Sequence, residues 1–411
     1  MLNILFQSEG RLKVDWTQLH LVEGSVVLVC SASAASKHRD VDRAGHEVVI
    51  VDELTPESVR SFVASALQAM HPKDMRLATL DEHLIPTLGS IRDQFGIPGV
   101  SQEQSLRFSD KKLMKEALAN SGVRTPQFVV VSADSEPPTY DLLVARLGSP
   151  LFVKPTCGAG SHGTRLIETE AEWRAWLTVR PEDVEFEVDA FLQGTLYHVD
   201  FVVGIDSSDW CSVGEYTHPN AEFLQGGTLG SRALSPDDWA TPIVRHAAVQ
   251  ALNALGAGTG VYHVELFLSS AGTVTFLEAA MRPPGAMVPD LYSHIYGKNI
   301  QSLGVMAQWR SDGATAIIKS IASPKRTGFG IWAWIPPAPG VVVALQAPEL
   351  PPGSELSITW RCSVGDALIS PEVIVERAGM LFASLANYDE ERVVLNGLRH
   401  DYRPIITEGL A

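Results

Sequence analysis

Residues 260–285 read Gly260-Val-Tyr-His-Val-Glu265-Leu-Phe-Leu-Ser-Ser-Ala-Gly272-Thr-Val-Thr-Phe-Leu-Glu278-Ala-Ala-Met-Arg282-Pro-Pro-Gly285. Two runs of β-branched and aromatic residues flank Ser-Ala-Gly, which predicts a β-hairpin. If Ala271 and Gly272 form a two-residue turn, Glu265 and Glu278 lie directly opposite each other on one face of the hairpin. The segment therefore predicts two antiparallel strands that carry a pair of facing carboxylates.

The facing carboxylates need a partner, because two like charges at opposed positions destabilise a hairpin. A divalent cation between Glu265 and Glu278 would remove this repulsion. Mg²⁺ in a nucleotide site is typically bound by only one or two protein carboxylates together with the phosphates of the nucleotide, which fits this pair. The alternative is an acidic edge of a sheet that is solvated by water.

The composition is that of a globular protein with more than one core. The 411 residues exceed a single ordinary domain, so about two to four subdomains are expected. Hydrophobic residues make up 45% and charged residues 19% of the chain, as in soluble proteins. The net charge of −16 argues against nucleic acid or an anionic membrane as a partner, so an anionic ligand has to meet locally placed cations.

The cysteines and the start of the chain predict a cytoplasmic protein. Cys30, Cys157, Cys211 and Cys362 are far apart and lack the spacing of a metal site, which favours reduced thiols. No apolar run approaches the roughly 18 residues of a membrane span. The first residues also lack the basic region of a signal peptide.

The first hundred residues alternate strand-like and helix-like segments, which predicts a parallel sheet covered on both faces. The loop after the first predicted strand lacks G-x-G-x-x-G, so no dinucleotide site is predicted there. The predicted strands are 25–30, 46–51 and 76–80, and the predicted helices are 58–70 and 86–96.

The central part of the chain contains further strands and helices. Asp110 is placed to cap a helix over residues 111–120. Segments 151–155 and 164–167 flank a glycine-bearing loop, and because a strand follows that loop, the pattern predicts a hairpin rather than a P-loop. Further strands are predicted at 127–131, 184–188 and 197–203, further helices at 142–147, 170–177 and 241–256, and a small Pro/Gly-rich subdomain after about residue 310.

Lys154 ends an apolar strand three residues before the loop Cys157-Gly-Ala-Gly-Ser-His-Gly163. Glycines let backbone N–H groups approach phosphate oxygens, and lysine adds a point charge. A glycine hairpin beside a lysine that reaches solvent is an equally good interpretation of this segment alone. The order along the chain favours a phosphate site, because Lys111, Lys154 with its loop, and then the carboxylate pair supply cations and metal ligands for one polyphosphate.

These features together resemble the ATP-grasp superfamily of carboxylate–amine ligases, over residues 108–285. The resemblance implies ATP and Mg²⁺ as cofactors. It also implies an α/β ATP-grasp fold with an N-terminal parallel βαβ domain (1–107), a small lobe with the glycine loop (108–190), a large lobe with the metal pair (191–310) and a C-terminal subdomain (311–411). The motifs that carry it are Ser109-Asp-Lys111, Phe152-Val-Lys154-Pro, the small-residue loop, Phe191-Leu-Gln-Gly194-Thr-Leu-Tyr-His198-Val-Asp200, and His263-Val-Glu265 to Glu278-Ala-Ala-Met-Arg282.

The resemblance implies roles for the charged residues. Lys111 and Lys154 would hold the phosphates of ATP. Glu265 and Glu278 would bind Mg²⁺. Arg282 would stabilise an acyl phosphate and its transition state, which makes it, with Lys154, a candidate catalytic residue.

The resemblance also places the nucleotide between the glycine loop and an interlobe hinge at residues 189–192. The backbone of this hinge would contact adenine, and Phe191 and Leu192 would supply apolar walls. There are two departures from the family pattern. Ala280 stands where the family often has an asparagine that binds metal, and Leu196 stands where an acidic residue often contacts ribose, so that His198 or Asp200 would take this role. The residues implied for nucleotide binding, besides the two lysines, are Gly158, Gly160, Ser161, Asp189, Phe191, Leu192 and His198.

A narrower similarity is to the bacterial L-amino acid ligases, which make dipeptides. Those enzymes carry Glu-x-x-His upstream of the metal pair, matched here by Glu215-Tyr-Thr-His218, and in this resemblance the two residues contact the amino-acid substrate. A four-residue match also arises by chance, and His218 before Pro219 is equally typical of a turn. The same enzymes limit the first substrate with a bulky residue four positions after the arginine. Here Ala286, which follows Gly285, implies a roomier pocket.

The activity implied is phosphorylation of an amino-acid carboxylate by ATP, followed by attack of an amine on the acyl phosphate to give a dipeptide or amide, ADP and phosphate. One alternative is a carrier-protein thiol or a natural-product amine as acceptor, and another is a nucleotide-binding regulatory protein without turnover. The expected partners are amino acids or other small carboxylates and amines, without nucleic acid or membrane. A homodimer is one possibility.

Overall fold

The computed structural model describes residues 1–8, 12–35, 37, 41, 44–132, 135–158, 160–205, 209–310 and 325–409. These residues form an N-terminal parallel sheet, a small antiparallel sheet, a large antiparallel sheet and a three-stranded sheet near the end of the chain. Within the described residues, no helix is both long enough and apolar enough to cross a membrane.

The N-terminal sheet is parallel, as predicted. Its strands are β1 (Leu2–Gln7), β2 (Ser25–Ser31), β3 (Glu47–Val51) and β4 (Met75–Thr79), in the order β3-β2-β1-β4. Strand β1, which lies between β2 and β4, was not predicted. The helices of this region are Ala32–Ala35, Pro56–Ala66, Leu84–Phe95 and Gln102–Leu106.

The small antiparallel sheet contains the predicted hairpin around the glycine loop. Its order is β5-β8-β6-β7, and β6 and β7 are antiparallel neighbours. The helix Lys111–Leu118 precedes it, with the side chain of Asp110 accepting hydrogen bonds from the N–H groups of Lys112 and Leu113, as an N-cap does. The strands are β5 (Phe128–Val131), β6 (Leu151–Pro155), β7 (Arg165–Ile167) and β8 (Phe186–Ala190), and the helices are Tyr140–Leu147 and Glu170–Val179.

The large sheet is antiparallel throughout, in the order β13-β12-β9-β10-β11-β14-β18-β16. The helix Ala240–Leu255 packs on one face, and the helices Val288–Tyr296 and Ile300–Arg310 pack on the other. The strands are β9 (Thr195–Val203), β10 (Trp210–Tyr216), β11 (Leu229–Ala233), β12 (Gly260–Leu268), β13 (Val274–Ala280), β14 (Phe329–Ile335), β16 (Glu355–Trp360) and β18 (Gly379–Leu385).

The end of the chain continues the large sheet through β14, β16 and β18. The remaining strands, β15 (Gly340–Leu345), β17 (Ala367–Leu368) and β19 (Ile405–Glu408), form a separate sheet beside the helix Tyr388–His400. The helix Ile300–Arg310 returns to the N-terminal sheet, where the indole N–H of Trp309 donates to the carbonyl oxygen of Ile4 over 3.2 Å. The domain boundaries given above stay a prediction.

The hairpin β12–β13 has the predicted facing carboxylates but a different turn. Glu265 pairs with Glu278, as predicted. The turn prediction was wrong: the N–H of Ser269 donates to the carbonyl of Thr273, which leaves a three-residue loop with Gly272 at φ 78°. This loop alone would shift the register by one residue, but a β-bulge next to Glu265 restores it.

Candidate active site

A cleft of about 350 Å³ lies between the small sheet and the hairpin β12–β13. The interlobe hinge and the short 3₁₀ helix Asn220–Gln225 complete its walls. The bulge orients Leu277 and Glu278 both into the cleft, although neighbours on a regular strand face opposite sides. The sequence-predicted residues that line the cleft are Lys111, Lys154, Gly158, Gly160, Ser161, Asp189, Phe191, Leu192, Glu265 and Glu278.

The glycine loop between β6 and β7 has an unusual backbone. Gly158, Gly160 and Gly163 have φ values of 125°, 68° and 71°, and the non-glycine Ser161 has a φ of 56°. These left-handed conformations favour glycine, because a Cβ atom strains them. Left-handed backbone of this kind lets successive N–H groups approach an anion, which suits a phosphate-binding segment.

Lys111 connects the glycine loop to the carboxylate pair. Its backbone N–H donates to the carbonyl of Thr156 over 2.8 Å, and its Nζ donates to the carbonyl of Gly158 over 2.8 Å. The same Nζ lies 3.6 Å from Oε2 of Glu278. The ammonium group is thus positioned between the loop and the candidate metal site, where phosphates of a nucleotide would lie.

Lys154 belongs to a buried cluster of two cations and two anions that was not predicted from the sequence. Its Nζ lies 3.1 Å from Oε1 of Glu187 and 3.1 Å from Oδ2 of Asp189. Lys115 contacts the same two carboxylates at 3.1 Å and 2.5 Å. We call Lys115, Lys154, Glu187 and Asp189 the ion cluster.

The two lysines of the ion cluster differ in their surroundings. Burial lowers the pKa of Lys154, but the adjacent Asp189, Glu187 and Glu278 outweigh burial and raise it overall. Burial, followed by the positive charge of Lys154, lowers the pKa of Lys115 despite the two carboxylates. Lys154 lines the cleft and remains a firmly protonated cation there.

The hinge after β8 supplies an apolar surface for a planar base. Phe191 is 39% exposed, which is unusual for a phenylalanine and places its ring at the cleft. Gly194 has a φ of 145°, and a Cβ atom there would lie 2.5 Å from the carbonyl oxygen of Leu268. Only glycine fits this close approach, which fixes the path of the hinge. Further apolar side chains at the cleft are Phe152, Leu166, Leu196, Phe267 and Leu277.

The carboxylate pair has the donor set of a site for a hard cation. Oε1 of Glu265 accepts hydrogen bonds from the hydroxyl of Tyr216 at 3.0 Å and from Nδ2 of Asn220 at 2.9 Å. Burial raises the pKa of Glu265, but His263 outweighs it and holds the pKa below its ordinary value, so the carboxylate stays ionised. Glu278 faces it from the neighbouring strand. Two carboxylates that face each other at a cleft fit Mg²⁺.

A buried hydrogen-bonded network lies behind Glu265. Asp200 contacts Nδ1 of His198 at 2.7 Å, Nδ1 of His263 at 2.6 Å and the hydroxyl of Tyr292 at 2.5 Å. Nε2 of His263 in turn lies 3.4 Å from Oε1 of Glu265. Burial lowers the pKa of His263, but Asp200 and Glu265 outweigh it and raise the pKa to about 10. The network therefore fixes the orientation of Glu265.

His198 lies in this network rather than at the cleft. Its side chain is fully buried, and its Nε2 contacts the hydroxyl of Ser231 at 2.8 Å. A Cβ atom at Gly214 would lie 2.0 Å from this ring nitrogen, so glycine makes room for the imidazole. The structure gives no exposed surface of His198 that ribose would contact.

Glu215 and His218 also lie outside the cleft. Glu215 neighbours Tyr216 on β10 and therefore faces the other side of the sheet, where it pairs with Arg232 at 2.8 Å and Arg399 at 3.0 Å. The ring nitrogens of His218 lie 3.0 Å and 3.1 Å from the carbonyl oxygens of Thr228 and Arg399. Both side chains attach the C-terminal helix to the large sheet.

Arg282 lies after β13, next to the N-terminal domain. Its Nε donates to Oε2 of Glu82 over 2.8 Å, and a second guanidinium nitrogen lies 2.6 Å from the same oxygen. Burial lowers the pKa of Arg282, but Glu82, Glu278 and Glu265 together raise it. Arg282 thus lies within the field of the carboxylate pair without lining the cleft.

Gly285 and Ala286 follow in the same loop. Ala286 has a φ of 52°, in the left-handed region. It packs against the core beneath the large sheet. A bulky residue at position 286 would therefore introduce backbone strain as well as fill space.

The chain is similar to ligases that act on amino acids. An L-arginine-specific L-amino acid ligase of Bacillus subtilis is 24% identical over 247 residues, which are 58% of this chain and 58% of that protein. A D-alanine–D-alanine ligase of Cupriavidus taiwanensis is 26% identical over 206 residues, which are 48% of this chain and 62% of that protein. The matched regions thus span about three fifths of these relatives. No family model matches the chain.

The fold is that of a solved L-amino acid ligase from Bacillus licheniformis. The two chains superpose with a TM-score of 0.70 and 16% identity over 99% of each chain. The protein therefore has the ATP-grasp fold, and its resemblance to the L-amino acid ligases is confirmed.

Proposed function

We propose that this protein is an ATP-dependent ligase that joins an amino-acid carboxylate to an amine through an acyl phosphate. The products are a dipeptide or another amide, ADP and phosphate. The observation that carries the proposal is that one cleft gathers Lys111, Lys154, the glycine loop and the facing carboxylates of Glu265 and Glu278. Cations, a phosphate-binding backbone and metal ligands along one cleft are the elements that a polyphosphate requires.

The chain positions the reactants by charge. Lys111 and Lys154 neutralise phosphate oxygens, and the apolar hinge around Phe191 and Leu192 accepts the base. Glu265 and Glu278 would hold Mg²⁺, which supplies charge neutralisation for the transferring phosphoryl group. Since the ion cluster keeps Lys154 in place before any ligand binds, little reorganisation is needed when the nucleotide arrives.

The reaction then has two bond-forming steps, a phosphoryl transfer and an acyl transfer. A carboxylate oxygen of the donor attacks the γ-phosphorus, the β–γ anhydride bond breaks, and ADP leaves. The amine nitrogen next attacks the acyl carbon, phosphate leaves, and the amine proton passes to solvent. Arg282 lies outside the cleft walls but within the field of the carboxylate pair, where it would stabilise the acyl phosphate. The glycine loop would exclude water from that intermediate.

The test separates donor from acceptor. Each amino acid is incubated alone with the protein, Mg²⁺, ATP and hydroxylamine, which converts an acyl phosphate into a hydroxamate. Donors that give hydroxamate and ADP are then paired with every other amino acid, and mass spectrometry identifies the amides. The absence of hydroxamate and of amino-acid-dependent ADP across the set would reject the proposal.

Two adjacent lysines provide a matched test of ATP binding. Lys111→Ala is expected to raise the KM for ATP by about tenfold or more, because a charge-assisted contact of roughly 1.5–3 kcal/mol is lost. Lys112→Ala is expected to change it less than about twofold, since residue 112 points roughly 100° away on the helix. In the structure Lys112 lies 3.5 Å from Glu185 instead.

The measurement is ADP release as a function of ATP concentration for both variants and the wild type. Because the two substitutions remove the same charge from neighbouring positions, effects of net charge and helix propensity are matched. A larger rise in KM for Lys112→Ala than for Lys111→Ala would show that the wrong lysine has been assigned to the phosphates.

A further inference from the structure

Asn220 lies beside Glu265, at the start of the 3₁₀ helix between β10 and β11. Its Nδ2 donates to Oε1 of Glu265 over 2.9 Å. Its Oδ1 is buried and accepts no hydrogen bond from the described part of the chain. A buried amide oxygen without a partner costs free energy, and a bound ligand would offset that cost.

Glu265 also has one oxygen left available. Tyr216, Asn220 and His263 all contact Oε1, and no described residue donates a hydrogen bond to Oε2. The three contacts fix the carboxylate and leave Oε2 free for a cation. Asn220, whose amide makes one of these contacts, lines the same cleft, and its own Oδ1 has no partner among the described residues.

We propose that Oδ1 of Asn220 is a third protein ligand of the Mg²⁺ held by Glu265 and Glu278. This inference rests on the proposed function, which places the metal at the carboxylate pair. Ala280, on β13, has only a methyl group and cannot bind a cation. An amide oxygen is a hard ligand that adds no negative charge to a site with two carboxylates. The connection from β10 to β11 therefore supplies the ligand that β13 lacks.

The test measures metal binding without turnover. Mn²⁺ is titrated into the full-length protein in the presence of ADP, and free Mn²⁺ is followed by electron paramagnetic resonance. Asn220→Ala is expected to weaken Mn²⁺ binding by about tenfold or more, in the range found for side chains that support a metal site. Gln250→Ala removes an exposed amide from the helix Ala240–Leu255, outside the cleft, and is expected to leave Mn²⁺ affinity unchanged.

Asn220→Asp distinguishes a metal ligand from a residue that only orients Glu265. This variant keeps an oxygen in place of Oδ1 but loses the N–H donor to Glu265. Retained or tighter Mn²⁺ binding is the expected result. If Asn220→Asp binds Mn²⁺ as weakly as Asn220→Ala, the N–H group matters and the ligand assignment is overturned. Unchanged affinity in Asn220→Ala overturns it as well.

Glu278→Gln in the same titration separates the two proposals. If the wild type binds Mn²⁺ and Glu278→Gln weakens it, the metal site stands, and the Asn220 variants alone decide the third ligand. If Glu278→Gln has no effect, the metal site itself is misplaced and the proposed function loses that support. Thermal unfolding of each variant confirms that the compared proteins are folded, and the isosteric Asn220→Asp remains informative if Asn220→Ala unfolds.

Discussion

Glu278→Gln is expected to lower turnover by at least about a hundredfold, because one of two metal-binding charges is removed from the site that holds the phosphates. The amide keeps the size of the side chain, so the cleft itself is preserved. Glu278 faces Glu265 across the hairpin, and like charges at such positions repel. The metal-free variant is therefore expected to be as stable as the wild type or more stable, although the contact of Glu278 with Lys111 at 3.6 Å reduces this gain.

The experiment combines steady-state kinetics over a range of Mg²⁺ concentrations with urea unfolding in the presence of EDTA. Glu222→Gln is the matched control, because Glu222 also lines the cleft but does not face Glu265. This substitution removes the same charge, and the variant protein is expected to bind Mg²⁺ with the affinity of the wild type. Full activity of Glu278→Gln at ordinary Mg²⁺ concentration would reject the metal assignment.

The hairpin shows what can be predicted from local sequence. β-branched residues around a glycine-bearing turn identified both strands, and the opposition of Glu265 and Glu278 was confirmed. That opposition had been predicted from a two-residue turn, which does not form. The three-residue loop shifts the strand register by one residue, and the bulge shifts it back by one, so the two shifts cancel each other. A bulge leaves no clear mark in the sequence, so the agreement depended on this cancellation.

Long-range pairing could not be predicted. The ion cluster depends on the pairing of Lys154 on β6 with Glu187 on β8, and the sequence does not show which strands are neighbours. Glu215 pairs with Arg399, 184 residues further along the chain. Its position three residues before His218 resembled a substrate motif, but its ion pairs are with Arg232 on β11 and with Arg399 on the C-terminal helix. β1 was missed because Asn3 interrupts a short apolar run, and its amide caps backbone carbonyls instead.

Lys154→Met is expected to have two separate effects. Removing one cation leaves Lys115 alone with Glu187 and Asp189, and an uncompensated buried charge costs about 3–5 kcal/mol of the free energy of unfolding. It also removes a cation from the cleft, so the KM for ATP should rise and phosphoryl transfer should slow. Lys115→Met creates the same charge imbalance, but Lys115 does not line the cleft.

Comparison of Lys154→Met with Lys115→Met therefore separates the effect on stability from the effect on ATP binding. Both are expected to lose similar unfolding free energy by urea denaturation, while only Lys154→Met loses ATP affinity, measured by calorimetry with a non-hydrolysable analogue. Adding Asp189→Asn to either variant rebalances the cluster at one cation and one anion, and is expected to restore part of the stability. ATP affinity should remain low in the Lys154→Met/Asp189→Asn protein, because this protein still lacks the ammonium group that would contact the phosphates. Equal loss of ATP affinity in Lys115→Met would mean that the ion cluster supports the cleft as a whole and that Lys154 has no direct contact with the nucleotide.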